Sequence, residues 1–220
     1  MPATINRDYS SYPSSIRGVF PHLAGEACEL RQSWEVYSHL FMSDKARTEL
    51  LGKRLGGVLG MFQSLLADEM TLSISRLTDK DSRAQTNLSL WALRAAIPDA
   101  KDVEFEKNVN GALDQIIKDA ASIRKHRHKR LAHYDLAVSL SAEILPVVTF
   151  NDIRGVLEKI EALLNLFYWE FENTTMFFDT LPATDLTGKM EATAYKAHAY
   201  DLLEAEGIVP KMEWRRRVKM

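Results

Sequence analysis

The 220-residue sequence predicts an all-α protein, a helical bundle of four to five main helices with an N-terminal arm and a short C-terminal helix. Two observations predict this fold class. Apolar residues recur at intervals of three and four over several long stretches, which is the period of an amphipathic helix. Alternation of β-branched with polar residues, the pattern of a half-buried strand, is nearly absent. Apolar residues make up 46% of the chain, enough for a globular core.

Residues 1–20 are rich in Ser, Tyr and Pro and show little periodicity, so we expect a mobile or loosely docked arm. The bundle is expected over residues 21–178, and its first helix begins near His22. The apolar positions of this helix recur at three and four, and they are Leu23, Ala27, Leu30, Trp34, Tyr37 and Phe41.

A second helical stretch runs from about Asp44 to Leu77 and contains Gly52, Gly56 and Gly60 at intervals of four. Each glycine inside a helix costs about 1 kcal/mol relative to alanine, so three of them need an explanation. On one helix face they would let another helix approach closely, for example across a dimer interface. Alternatively, a break near Gly56–Gly57 divides the stretch into two helices. The sequence leaves both open.

The polar segment Thr78–Asn87 predicts a loop, and Pro98–Asp99 marks a second break. A third long helix begins near Asp102 and ends in a basic stretch, where cations interact favourably with the helix dipole. Its inward positions are predicted to be Phe105, Val109, Leu113, Ile116, Ile117 and Ala120.

The segment Ala137–Val148 is apolar but weakly periodic. Thr149 and Asp152 have the spacing of a capping box, which predicts the start of a fourth helix. Residues 179–220 are expected to form a linker, a short helix from about Ala192 to Glu206 ended by Gly207, and a basic tail.

Charge and cysteine content narrow the classes of function. The net charge of −2 means that affinity for nucleic acid would depend on local clusters of cations. The single cysteine, Cys28, excludes an internal disulfide framework and a cysteine-rich zinc site, and it fits a reducing compartment. No apolar run approaches the ~20 residues of a membrane span, and the first residues lack the apolar core of a signal peptide. We therefore expect a cytoplasmic protein without membrane contact.

The segment Arg124–Arg130 holds five fixed cations and two histidines, and the next acid is Asp135. A metal site built from His126, His128 and His133 is disfavoured, because neighbouring cations oppose a divalent ion and no carboxylate lies between the histidines. We expect no metal and no cofactor. A second interpretation is that cations at a helix end simply satisfy terminal carbonyls.

A third interpretation is RNA cleavage. RNA carries its own nucleophile, the 2′-hydroxyl, so the reaction needs a base, an acid and a cation facing the phosphate. Histidine suits proton transfer because its reference pKa lies near neutrality. Arginine suits the phosphate because its planar fork matches phosphate oxygens. Residues Arg127–His133 supply both side chains within a cluster of cations that would attract RNA.

The stretch RHKRLAH, Arg127–His133, resembles the signature of the HEPN superfamily (higher eukaryotes and prokaryotes nucleotide-binding domains), an arginine and a histidine separated by four to six residues. Together with SISRLTD at Ser73–Asp79 and SWEVYSHLF at Ser33–Phe41, it is similar to the AbiU-type, abortive-infection branch. The resemblance covers about residues 25–175. It implies a homodimeric bundle in which two copies of the motif form one metal-independent RNase site.

The resemblance also implies roles for individual residues. Arg127 would hold the scissile phosphate, His133 would perform acid–base chemistry, and His128 would orient the motif or contact phosphate. The other expected RNA contacts are Arg124, Lys129 and Arg130. Because the superfamily includes toxins and phage-defence effectors, the resemblance implies that RNA and an antitoxin protein are partners of this chain. Some toxins carry a modified tyrosine two residues after the histidine, where this chain has Asp135. Other members only bind RNA, nucleotides or proteins, which is the alternative function.

Helical geometry places two conditions on this site. In a regular helix Arg127 and His133 lie about 120° apart, so either the helix loosens near His128 or the second subunit completes the pair. Arg130 and His133 share a face and form an alternative pair. Three residues are candidates to orient the arginine and the histidine of the motif without contacting RNA themselves, namely Arg76, Asp79 and Asp135. For Arg76 and Asp79 a plain ion pair at a helix end is the alternative.

Overall fold

The computed structural model describes residues 7–42, 44–80, 87–99, 102–132, 145–178 and 183–210. Within these ranges the chain is helical and contains no strand, which confirms the predicted all-α class. The helices are α1 (Ser14–Arg17), α2 (Phe20–Phe41), α3 (Lys45–Leu55), α4 (Gly57–Thr78), α5 (Leu90–Ala95), α6 (Val103–Asp119), α7 (Ala121–His126), a π-helical turn (Arg127–Ala132), α8 (Phe150–Glu172) and α9 (Ala183–Ala205).

The chain divides into two compact units that interleave along the sequence, whereas the predicted division was contiguous. The larger unit comprises Met1–Glu35 and Leu65–Thr180. The smaller unit comprises Val36–Ser64 and Leu181–Met220. Helices α2 and α4 contribute residues to both units.

Helices α6 and α8 pack along their apolar faces and form one part of the core of the larger unit. On α6 the buried residues are Phe105, Val109, Leu113 and Ile116, as predicted from their spacing, whereas Ile117 is only half-buried. On α8 they are Ile153, Val156, Leu157, Ile160, Leu163, Leu164, Phe167 and Tyr168. Each fully buried large side chain contributes about 1.5–3 kcal/mol to stability. This packing fixes the direction of α6 and therefore the position of the basic stretch that follows it.

Side-chain caps define where the two packed helices begin. At α8, Asp152 N–H donates to Thr149 Oγ1 at 3.2 Å, and Thr149 N–H donates to Asp152 Oδ2 at 2.7 Å. This arrangement confirms the predicted capping box. At α6, the carboxylate of Asp102 accepts from Glu104 N–H at 3.0 Å.

Residues 7–20 are packed against the core, so the expectation of a mobile or loosely docked arm is wrong for this segment. Tyr12 is 2% exposed, and Ile16 and Phe20 are fully buried. Tyr12 Oη donates to Glu172 Oε1 at 2.7 Å, and Arg7 Nη2 pairs with Glu172 Oε2 at 2.6 Å. Burial, followed by the hydrogen bond with Glu172, raises the pKa of the Tyr12 hydroxyl. The buried apolar side chains, together with the hydrogen bond and the ion pair that Glu172 makes at the end of α8, hold residues 7–20 in place.

In the smaller unit, the second helical stretch is broken at Gly56. Helix α3 ends at Leu55, Gly56 has a φ of +51°, and α4 begins at Gly57. The sequence left open whether the glycines permit close approach of another helix or break the stretch into two helices. The structure shows the break. The positive φ suits glycine, because a side chain is strained in this region of backbone space.

The C-terminal helix is longer than predicted. Helix α9 begins at Ala183, so part of the segment expected to be a linker is helical, and Gly207, with a φ of +73°, follows its end. Helix α9 packs on α3, and its Ala194 joins Leu40, Leu51 and Leu59 in the core of the smaller unit. Packing on α3 stabilises about two more turns at the start of α9 than the apolar spacing of the sequence indicated.

Within the described ranges, no helix combines the length and the apolar character needed to cross a membrane.

Candidate functional site

The basic stretch is carried by a change in helix type after α6. Ala120 forms a turn, α7 runs from Ala121 to His126, and the six residues Arg127–Ala132 adopt a π-helical turn. The buried side chains of Ala120 and Ile123 anchor this segment to the core. A π-helical turn has wider i→i+5 hydrogen bonding and occurs frequently at functional sites. The sequence analysis gave two ways in which Arg127 and His133 could come together. One of them, a loosened helix near His128, is present in the structure.

Asp79, directly after the end of α4, faces two arginines of the basic stretch. Its Oδ1 lies 3.6 Å from Nε of Arg124, and its Oδ2 lies 3.6 Å from Nη2 of Arg127. Both separations are longer than a hydrogen bond of about 2.7–3.2 Å. Asp79 thus attracts both guanidinium groups electrostatically and draws them towards one point, without hydrogen-bonding to these atoms.

The three side chains remain accessible to water. The exposed fractions are 35% for Arg124, 34% for Arg127 and 25% for Asp79. Among the side chains that the structure describes here, two cations face one carboxylate, which favours binding of an anion. Guanidinium groups bind phosphate oxygens through paired hydrogen bonds, so this pair of arginines could receive one phosphate of an incoming nucleic acid.

His126 connects the basic stretch to the segment before α8. Its Nε2 is hydrogen-bonded to the carbonyl oxygen of Pro146. This contact assigns His126 a structural role at the start of the π-helical turn. Among the residues that the structure describes, no group of three His, Cys, Asp or Glu side chains could hold a metal ion.

Arg76 lies in a different ion-pair cluster. Its Nε donates to Glu26 Oε1 at 2.9 Å, and its Nη2 lies 3.3 Å from Glu69 Oε1. Burial alone would lower the pKa of Arg76, but the hydrogen bonds and charges of Glu26 and Glu69 together outweigh it and raise the pKa. The plain ion pair is therefore the arrangement found for Arg76, whereas Asp79 contacts arginines of the basic stretch.

The remaining predicted site residues are described in part. His128 is exposed and Lys129 is half-buried on the π-helical turn. Arg130 belongs to the same turn, and its side chain is outside the description. His133 and Asp135 lie outside the described residues, so the pairings of His133 with Arg127 and with Arg130 stay predictions.

Sequence reasoning did not identify two features of this site. The first is the pair of partners of Asp79: the sequence made Asp79 a candidate support of the site, but its proximity to Arg124 and Arg127 joins residues far apart in the chain and has no local signal. The second is the contact between His126 and Pro146, for which the only hint was that Pro146 closes an apolar segment. Both contacts position the cations of the basic stretch.

Comparison with known proteins identifies the family. Residues 14–192 match the family model HEPN_AbiU2, described as AbiU2. Neither the curated proteins nor the solved structures gave a significant match. The matched range is wider than the resemblance over residues 25–175 and includes Asp79 and the segment Arg127–His133. Since it covers most of the chain, the match confirms the resemblance noted in the sequence, and the protein belongs to the HEPN_AbiU2 family.

Proposed function

We propose that this protein is a metal-independent endoribonuclease of the HEPN type that acts in the cytoplasm as a homodimer. The observation that carries the proposal is the family match across residues 14–192, which includes the complete Arg127–His133 motif. The accessible arginine pair on a π-helical turn supports it, because such a surface suits a phosphate group. The biological setting that fits the family is phage defence, or a toxin paired with an antitoxin protein.

The proposed reaction begins with attack of the 2′-hydroxyl oxygen on the adjacent phosphorus. His133 of one subunit accepts the hydroxyl proton, and a protonated histidine, in this scheme its symmetry mate, gives a proton to the departing 5′-oxygen. The bond from phosphorus to the 5′-oxygen breaks, which leaves a 2′,3′-cyclic phosphate and a 5′-hydroxyl.

The arginines contribute electrostatic stabilisation. Arg127 faces the charge that develops on the non-bridging phosphate oxygens, and Arg124 holds the same or the neighbouring phosphate. Asp79, 3.6 Å from each of the two guanidinium groups, keeps them directed at this position in the proposed site. Lys129 and Arg130 extend the positive surface along the RNA backbone, so we expect strong dependence on salt, and His128 adds a hydrogen-bonding side chain.

The test is cleavage of a broad RNA panel by the purified protein and by Arg127→Ala and His133→Ala variants. We expect each variant to lose at least ~100-fold in rate, in the range of acid–base and oxyanion contributions. Arg154→Ala and His22→Ala are matched controls, because both side chains are exposed outside the basic stretch. The controls should cleave normally, and EDTA should have no effect. Cleavage that persists in a protein carrying both motif substitutions would refute this assignment.

The second candidate function is a non-catalytic module of the same fold that binds RNA, a nucleotide or a protein through the basic stretch. The same accessible arginines favour it. It predicts salt-sensitive binding without strand scission, and a gradual loss of affinity as cations are removed one by one. Intact RNA across the whole panel, combined with such binding, would favour this alternative.

A further inference from the structure

The indole ring of Trp91 lies close to the acid that directs the two arginines of the candidate site. Lys80 follows Asp79 directly in the sequence, and its Nζ lies 4.8 Å from the centroid of the Trp91 ring. A hydrogen bond of 3.2 Å from Asn87 Nδ2 to the carbonyl oxygen of Lys80 holds the segment before α5 beside the segment after α4. One lysine side chain therefore joins an aromatic ring to the residue that faces the arginine pair.

The helix that carries this ring is fixed to the rest of the larger unit. In α5, Leu90 is 1% exposed and Leu93 is fully buried, so both anchor the helix in the core. Arg94 Nε donates to Asn110 Oδ1 at 2.8 Å, which joins α5 to α6. Trp91 therefore has a fixed position without a ligand, and a molecule that binds to its ring does not have to order the helix first.

One face of the ring is turned towards solvent. Trp91 is half-buried, whereas Lys80 is exposed, so the face beneath the lysine ammonium group is the accessible one. A cation over an aromatic ring at an exposed site contributes less binding energy than a nucleobase stacked on such a ring. A base can therefore displace the ammonium group of Lys80, which then becomes available to a neighbouring phosphate.

We propose that Trp91 is the platform on which a nucleobase stacks when a phosphate of single-stranded RNA binds Arg124 and Arg127. Binding of single strands combines cations that contact the backbone with aromatic side chains that receive the bases. Lys80 and the arginine pair supply the cations, and Trp91 supplies the ring.

The proposal rests on the proposed function, because it adds a base contact to the phosphate contact assigned there. It also names the class of substrate. A base inside a duplex is already stacked on its neighbours, so only an unpaired strand offers a free base to Trp91. Every base has a π face, so this contact selects single strands without selecting a sequence.

The test is the affinity for a labelled oligoadenylate of about twelve nucleotides, within the roughly 4–16 nucleotides that single-strand sites span. Its riboses carry 2′-O-methyl groups, so the proposed nucleophile is absent and the probe stays intact. Trp91→Leu keeps apolar bulk but removes the ring, and we expect it to raise the dissociation constant at least about fivefold. Trp91→Phe keeps a ring and should stay within about twofold of the wild type. Fluorescence anisotropy measures all three.

Probes that lack one base at a time separate stacking from a change in the fold. The wild type should lose at least about fivefold in affinity when one particular base is missing, whereas Trp91→Leu should be insensitive to the same change. Trp169→Leu is the matched control, because Trp169 is 60% exposed and belongs to α8. It should bind every probe as the wild type does.

Three results would overturn the proposal. One is a wild type that does not bind the single strand, and another is a Trp91→Leu variant that binds it as tightly as Trp91→Phe. The third is a Trp91→Leu variant that remains as sensitive to each missing base as the wild type. If Arg127→Ala weakened binding but the Trp91 variants did not, this inference would fail while the phosphate contact of the proposed function stood. Because the probe cannot be cut, a failure of the cleavage hypothesis does not affect this measurement.

Discussion

The carboxylate of Asp79 lies 3.6 Å from the guanidinium of Arg127, in the motif that the proposed function makes responsible for phosphate binding. The same carboxylate lies 3.6 Å from Arg124. One acid at the end of α4 thus directs two cations of the basic stretch. A side chain in this position affects the orientation of the arginines, whereas its own negative charge opposes RNA.

These opposite effects make Asp79→Asn informative. We expect the rate of RNA cleavage at saturating RNA to fall about tenfold, as when a group that orients a site is removed. RNA affinity at low salt should stay the same or increase, because one negative charge has been removed from the surface. Single-turnover cleavage and filter binding measure the two quantities separately.

Asp114→Asn is the matched control, since Asp114 is an exposed acid on α6, the helix that leads to the basic stretch. It should leave the rate unchanged. If Asp79→Asn weakened binding and cleavage in parallel, the acid would be supporting the fold rather than directing the arginines.

The ion pair between α2 and α8 gives a prediction about stability. Arg31 donates to Glu161 through Nε at 2.6 Å and Nη2 at 2.5 Å, and both side chains are largely buried. Glu161→Gln removes the closer of the two carboxylates that pair with Arg31 and leaves Glu35, at 3.4 Å, as its charged partner, so we expect a loss of about 2 kcal/mol in the free energy of unfolding. Urea unfolding followed by circular dichroism measures this loss.

The control lies one turn earlier on the same helix. Glu158 pairs with Arg154 at 2.7 Å, but both side chains are at least half exposed. Glu158→Gln should therefore cost less than about 0.5 kcal/mol, because exposed pairs are weakened by water and salt. Similar losses for the two variants would contradict the role assigned to burial.

The features that the sequence predicted are those with local causes. The capping box of Thr149 and Asp152 depends on residues within a few positions of one another. So does the break at Gly56, which the sequence offered as one of two alternatives. The buried face of α6 follows from the 3.6-residue period alone. The arginine and histidine of the motif were identified because they lie within one short stretch.

The features that the sequence did not predict depend on distant contacts. The N-terminal segment docks because Tyr12 meets Glu172, at the other end of the larger unit's sequence. The first turns of α9 contain Thr187 and Gly188, which favour helix weakly, and α9 is stabilised by packing on α3. The π-helical turn has no distinctive local composition, since its residues also suit a regular helix.

The docking of the N-terminal segment can be tested at Ile16, which is fully buried. Ile16→Ala should lower the free energy of unfolding by about 3 kcal/mol, since it removes buried methyl groups and leaves a cavity. A mobile arm would show no such loss. Val103→Ala, at a residue that is 80% exposed, should change stability by less than about 0.5 kcal/mol in the same urea experiment.

The cap of α8 predicts a dependence of stability on pH. Hydrogen bonds from the backbone N–H and the hydroxyl of Thr149 lower the pKa of the Asp152 carboxyl in the folded protein. A lowered pKa in the folded protein means that the unfolded chain binds more protons. The Asp152 carboxylate therefore makes its full contribution to the free energy of unfolding when the pH is above the pKa of the unfolded chain, about 3.9. It is lost as the pH falls through the lower, folded value. Asp152→Ala should therefore cost about 1 kcal/mol at pH 7.

The difference in stability between the wild type and Asp152→Ala should then shrink as the pH is lowered below about 4, because the wild-type carboxyl becomes protonated and loses its advantage. Urea unfolding at a series of pH values measures the difference. Asp114→Ala, which removes an exposed acid outside any cap, should show a difference near zero throughout. A gap between wild type and Asp152→Ala that widened in acid would mean that the carboxylate does not stabilise the start of α8.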